Sequence, residues 1–206
     1  YQFILADKQK GCSLYLSLCH QHKRYRKRYG SPKRNHGIKD RIMIDERPAI
    51  VDEKSRIGDW EIDTIIGKGQ KQAIVSIVER KSKFTLIKKV KFKTADLVSR
   101  STIEALQPFK DKVLIITSDN GTEFAYHKQI SQELESDFYF AHPYSPWERG
   151  LNENTNGLVS QYIKKGSDIS HIDDEFLSLV ATKLNNRPRK SLCYSTPMLN
   201  FHWNTA

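Results

Sequence analysis

Three apolar, β-branched stretches follow one another before the chain begins to alternate helix with strand, and that order leaves few folds open. Residues 60–67 (WEIDTIIG) read as the first strand, closed by the turn signal Gly67-Lys68-Gly69-Gln70. Residues 73–80 (AIVSIVER) and 83–92 (KFTLIKKVKF) read as the second and third, a short Lys-Ser turn between them. Thr94 then caps a helix to about residue 107, stopped by Pro108, with Val98, Ala105 and Leu106 on its core side. The continuous apolar run 113–119 (VLIITSD) predicts a strand buried on both faces. A helical stretch over 123–135 and a short strand over 138–141 follow. In Ser145-Pro146-Trp147-Glu148, Ser145 suits a cap, Pro146 a first helical position and Glu148 a capping box. The helix this predicts runs through Glu153 to about Lys165 and stops at Gly166; a last helix spans 173–185. A meander of three strands followed by crossover units implies an α/β domain: a five-stranded mixed sheet with helices on both faces.

Charge divides the chain differently. Residues 1–41 hold eleven Lys and Arg against Asp7 and Asp40, so nearly all of the formal charge of +10 is amino-terminal. The run HKRYRKRYGSPKR interleaves Lys23, Arg24, Arg26, Lys27 and Arg28 with tyrosines, a composition suited to neutralising phosphate and contacting sugar or base. A solvated basic face or a partner-binding tail is the plainer alternative. The expected organisation is a basic connector suited to contacting DNA over 1–55, a core domain over 56–170, and a helix with a basic tail over 171–206 belonging to the same domain. An apolar helical stretch is expected within the connector at 11–20.

With 38% hydrophobic and 28% charged residues, the composition is that of an ordinary globular domain. No apolar run approaches the roughly 20 residues a membrane helix needs. Three cysteines make no disulfide framework, and the spacing of Cys12, Cys19, His20 and His22 matches no zinc arm. A reducing, cytoplasmic setting is expected, without membrane contact and in association with the nucleoid.

Three carboxylates stand out on this scaffold. Asp63 lies within an apolar strand, where an ionised carboxylate is costly unless cations or several donors compensate it. Asp59 and Glu61 share its strand parity, so alternation alone does not choose among the three; Asp63 lies deepest in the apolar run. Asp119 ends an apolar strand before the turn formers Asn120-Gly121, at the carboxyl edge where α/β sheets gather ligands. Glu153 lies about two turns into the capped helix. Any one of these acids alone reads as a turn former or a surface charge. Together they suit Mg²⁺ or Mn²⁺, which take oxygen ligands; two ions about 3.5–4 Å apart stabilise both the attacking and leaving oxygens of phosphoryl transfer. Neither Ser118 nor His142 stands in a recognisable nucleophile triad.

The blocks GDWEIDTIIG, ITSDNGTEF and HPYSPWERGLNENTNGL resemble the three catalytic blocks of DDE transposases and retroviral integrases, and 33 residues separate Asp119 from Glu153, a spacing typical of that superfamily. The sequences YRKRYG before the core, and LNNRPRK with Thr196-Pro197 after it, resemble flanking blocks of the bacterial insertion-sequence-thirty family. The resemblance implies a ribonuclease-H-like fold with Asp63, Asp119 and Glu153 as catalytic metal ligands for two Mg²⁺ or Mn²⁺ ions. It implies hydrolysis at transposon ends, then attack of the freed 3′-hydroxyl on target DNA, by a homo-oligomer assembled on DNA. Asn156 matches an integrase asparagine one turn beyond the glutamate, implying a part in positioning DNA or the reacting oxygens. Arg149 and Trp147 belong to the loop-to-helix block, where DNA contact is implied; packing is the other reading of Trp147. Lys164 and Lys165 extend the helix toward phosphate or simply end it in solvent.

Family members carry a helix-turn-helix region ahead of the core, and Gly where Cys193 stands. Neither that region nor an initiator Met precedes Tyr1, so a fragment or processed form is expected. Two other readings stay open: a DNA-binding remnant without catalysis, and a ribonuclease-H-like nuclease without strand transfer.

Overall fold

A computed structural model describes residues 2–17, 38–70 and 72–203. The chain divides into two units, Tyr1–Asn35 and His36–Ala206. In the first, helix α1 (Gln2–Gln9) is followed by a 3₁₀ turn, Leu14–Ser17. The helix expected over 11–20 is therefore displaced. Gly11 takes φ 80°, which ends α1, and the Asp7 carboxylate accepts a hydrogen bond from the Leu14 amide at 3.2 Å. Residues 18–20 lie outside the described residues, as do Lys23, Arg24, Arg26, Lys27 and Arg28.

The second unit is built on strands β1 (Asp59–Ile66), β2 (Ala73–Glu79), β3 (Thr85–Val90), β4 (Ile115–Ser118) and β5 (Asp137–Phe140), in the order β3-β2-β1-β4-β5. The β1–β2 and β2–β3 pairs are antiparallel, whereas β1–β4 and β4–β5 are parallel. This is the expected meander followed by crossovers. A short helix, α2 (Ile50–Glu53), precedes β1; α3 (Ala95–Leu106) and α4 (His127–Leu134) are the two crossover helices. After β5 come α5 (Gly150–Val159), α6 (Asp174–Asn185) and α7 (Pro197–Trp203).

The two faces of the sheet differ in chemistry. One carries Trp60 and Ile62 of β1 with Val75 and Ile77 of β2, and buries them against Val98 and Leu106 of α3 and Ile130 and Leu134 of α4. Phe201 of α7 stacks on Phe84 at 4.3 Å between ring centroids and meets Trp60 edge-on. The opposite face carries Asp59, Glu61 and Asp63, with Ser76 paired to Asp63 across β2, and is covered by α5. Helix α6 packs on β3, where the Asn185 amide both accepts from the Thr85 amide at 2.8 Å and donates to its carbonyl at 2.9 Å. That pairing occupies backbone groups of the edge strand that would otherwise invite another chain.

Residues 38–55, assigned to the connector by composition, are folded onto this core. Ile38 and Val51 are buried, and Met43 forms a β-bridge with Phe140. Among the described residues, no helix is long and apolar enough to cross a membrane.

Candidate active site

The three acids of β1 point to one face, and their partners separate them. Asp59 takes two hydrogen bonds from Arg56, at 3.1 and 2.9 Å. Glu61, 1% exposed in its side chain, accepts from Arg80 at 2.5 Å and from the Asn152 amide at 3.1 Å. It thereby neutralises a buried guanidinium and tethers the first turn of α5 to the sheet. Among the described residues, Asp63 has no such dedicated cation. Its Oδ1 accepts from the Thr64 amide at 2.8 Å and its Oδ2 from the Asn156 side chain at 2.9 Å. Partner geometry thus makes the choice among the three acids that strand parity left open.

Asp119 follows β4 directly. The parallel register pairs Asp59 with Ile115 and Glu61 with Thr117; the same offset carried two residues further sets Asp63 level with Asp119. Asp119 Oδ1 accepts from the Gly121 amide at 3.0 Å, an Asx-turn of the kind its Asn-Gly neighbours favour. Asn120 fastens this turn by accepting from Arg41 and donating to the Ala141 carbonyl. Behind the turn lies Glu123, 4% exposed, held by Lys93 at 2.7 Å and the Thr64 hydroxyl at 2.9 Å. A Cβ on Gly121 would run into the Glu123 carboxylate.

One guanidinium spans both aspartates. Arg149 Nη1 is 3.8 Å from Asp63 Oδ2, and Nη2 is 3.5 Å from Asp119 Oδ2. Burial pushes the Asp63 carboxyl up to about 6; Arg149 pulls it back, Asp119 raises it, the Thr64 amide lowers it, and Glu123 raises it again. The oxygen donors of Asp63 and Asp119, with a cation already facing both, fit a hard divalent ion.

Glu153 does not join them. It is exposed on α5, and among the described residues no three His, Cys, Asp or Glu side chains gather in metal-binding geometry. The expected capping box is also absent. Glu148 accepts from the His142 amide at 2.8 Å and pairs with His142 Nδ1 at 2.9 Å, so its carboxylate is unavailable to Ser145. Residues Pro146–Arg149 form a 3₁₀ turn instead, and α5 begins at Gly150. The helix ends at Val159, where the Ser160 hydroxyl donates back to the Asn156 carbonyl at 2.6 Å. Lys164 and Lys165 consequently lie beyond it, exposed. Trp147 is 75% exposed, so packing does not account for it.

Asn156 is drawn fully into the site: its amide donates to Asp63 while its carbonyl oxygen accepts from the Ser76 hydroxyl at 2.7 Å. Ser76, Glu123 and Lys93 escaped the sequence reading. A serine within the apolar run AIVSIVE, opposite Asp63 in the hairpin, is the signal that points to the first. A cleft of about 760 Å³ runs along the flank of α5, lined among others by Arg47, Arg80, Lys83, Trp147 and Arg189; neither Asp63 nor Asp119 lines it.

Residues 53–146 match the family described as the integrase core domain. The fold resembles the crystal structure of the catalytic core domain of BIV integrase, with a TM-score of 0.56 at 22% identity over 72% of this chain and 96% of that one. The sheet and its helices are accordingly ribonuclease-H-like. More particularly, the chain is similar to transposases of the insertion-sequence-thirty type. It is 48% identical to the transposase for insertion sequence element IS4351 of Bacteroides fragilis, over 98% of this chain and 62% of the relative. It is 36% identical to the transposase InsI for insertion sequence element IS30A of Escherichia coli (strain K12), over 75% of this chain and 40% of the relative. The chain thus spans less than two thirds of either relative.

Proposed function

We propose that this chain is the catalytic region of a transposase that cleaves DNA at transposon ends and transfers the freed 3′-hydroxyl into target DNA. The observation that carries this reading is the pair Asp63 and Asp119, level on adjacent parallel strands about a shared cation, within an integrase core. Asp63 and Asp119 would hold Mg²⁺ or Mn²⁺, with Glu153 as the third ligand. Bound there, two divalent ions supply charge stabilisation to the attacking and leaving oxygens of phosphoryl transfer.

The remaining work belongs to the protein's own residues. Asn156, braced by Ser76, holds the Asp63 carboxylate in one orientation. The Asx-turn does the same for Asp119. Water in the first step and the DNA 3′-hydroxyl in the second are alternative nucleophiles at one site, so a single set of carboxylates serves both. Lys23, Arg24, Arg26, Lys27 and Arg28, with Arg149, Lys164 and Lys165, are proposed to contact DNA phosphate, and Asn156 to position the reacting oxygens. A dimer or larger assembly follows from the need to hold two DNA ends.

Exposure of Glu153 favours a second reading, a DNA-binding protein without catalysis. A strand-joining assay with Mg²⁺ and DNA carrying the element ends separates the two. Catalysis predicts metal-dependent joined product that Asp119→Asn abolishes, a loss of at least about a hundredfold. Joining that persists in Asp119→Asn removes the assignment, and salt-dependent binding with no product at any metal concentration favours the second reading.

A further inference from the structure

Arg149 occupies an unusual position for a cation that the proposed reaction would need elsewhere. Its side chain is 16% exposed, and it reaches both aspartates from the 3₁₀ turn that precedes α5. The oxygens it faces are Asp63 Oδ2 and Asp119 Oδ2. Both partner oxygens are already engaged: Asp63 Oδ1 by the Thr64 amide, Asp119 Oδ1 by the Gly121 amide. Although Asp63 Oδ2 also accepts from the Asn156 side chain, the oxygens facing Arg149 are the ones that a divalent ion held by both aspartates would share with it.

The grip of Arg149 is loose. Its ion pairs lie at 3.8 and 3.5 Å, and its Nη1 donates to the Ile62 carbonyl at 3.4 Å, all at or beyond the long end of hydrogen bonding. The turn that carries it is held from the other side, where Glu148 pairs with His142 and His142 pairs in turn with Asp45 at 2.9 Å. A guanidinium is a planar fork matched to phosphate oxygens, so a DNA phosphate offers Arg149 a better partner than two distant carboxylates.

We propose that Arg149 is an exchangeable counter-ion that guards the Asp63–Asp119 pair until DNA arrives. Entry of a DNA phosphate draws the guanidinium off the carboxylates and frees their oxygens for the divalent ions. Metal loading and DNA binding are then coupled in both directions, as linkage requires. The swap also concerns Glu153, which stands four residues beyond Arg149, in the helix α5 that follows its turn. The guanidinium and the metal ions cannot share the same oxygens, so the third ligand has a role only after Arg149 has moved. This inference rests on the proposed metal role of the two aspartates.

The test is the affinity of the whole chain for Mn²⁺ at pH 8, measured by calorimetry for the wild type, Arg149→Gln, Arg149→Ala and Asp119→Asn. Each is titrated alone and with a short DNA duplex, with the Mn²⁺ bound by duplex alone subtracted. Without DNA, both arginine variants are expected to bind Mn²⁺ about tenfold more tightly than the wild type, a coupling of ordinary size. With DNA, the wild type should gain about the same factor and the variants little. Circular dichroism checks that the two variants are folded, and Arg149→Gln preserves most of the side-chain volume. Equal or weaker Mn²⁺ binding in both arginine variants overturns the guard while leaving the metal site standing, provided Asp119→Asn still abolishes binding. Mn²⁺ binding that is indifferent to Asp119→Asn removes the metal site, and the guard with it.

Discussion

Asp63 sits in a strand whose other two acids are each neutralised by a neighbouring arginine, and burial pushes its own carboxyl up to about 6. A carboxyl raised above its unfolded value holds its proton longer in the folded state, so ionising it costs stability as pH climbs from about 4 to about 6. At 1.36 kcal/mol per unit the penalty is at most about 3 kcal/mol above pH 6, less whatever the remaining 22% side-chain exposure relieves. The metal-free Asp63→Asn variant should therefore melt higher than the wild type at pH 8, by about 1–3 kcal/mol, and the difference should vanish near pH 4. Thermal unfolding at the two pH values with a chelator present measures this. A variant less stable than wild type at pH 8 would show that Asp63 is paid for by its hydrogen bonds. Its raised value also means that the proposed metal binding would weaken as pH falls through about 6, because the proton would compete for the same oxygens.

At the scale of elements, Glu61 ties helix to sheet. It links Arg80, 4% exposed, to the Asn152 amide at the start of α5. Glu61→Ala leaves that guanidinium buried with Asp52 and the Val51 carbonyl as its remaining partners. The cost should be about 3 kcal/mol, toward the lower end for a broken buried pair, and thermal melting should fall by roughly 6–12 °C. A melting point within a degree of wild type would mean that Arg80 re-pairs without loss. The strands and their order were legible because β-branched runs and turn residues carry their own local signals. Asp63 and Asp119 were legible for a related reason: each is a charge set in an apolar strand or at its end. The start of α5 was not, because Glu148 has two available partners and the winning one, His142, is brought near only by the fold. The roles of Ser76 and Glu123 stayed hidden likewise, since each partner lies across a strand or a turn. The 33-residue spacing from Asp119 marks Glu153 by resemblance, but spacing does not fix where a side chain on a surface helix points.

For the whole molecule, charge is the main lever. Lys23, Arg24, Arg26, Lys27 and Arg28 supply part of the amino-terminal excess. Each phosphate contact adds about 0.9 to the slope of log affinity against log salt. Replacing all five with Gln should reduce that slope by about four to five if every one meets a phosphate. Fluorescence anisotropy with a labelled duplex across a salt series reads it, and an unchanged slope would assign the run to another partner. The relatives this chain matches are longer than it is, and the proposed site is one question among several. The site is the central one. Its most direct measurement is the anomalous scattering of Mn²⁺ in crystals of the chain with DNA. The account predicts Mn²⁺ peaks within coordination distance of both Asp63 and Asp119, with Arg149 turned to phosphate and Glu153 turned in. Mn²⁺ bound elsewhere, with Arg149 still spanning the two aspartates, would contradict it.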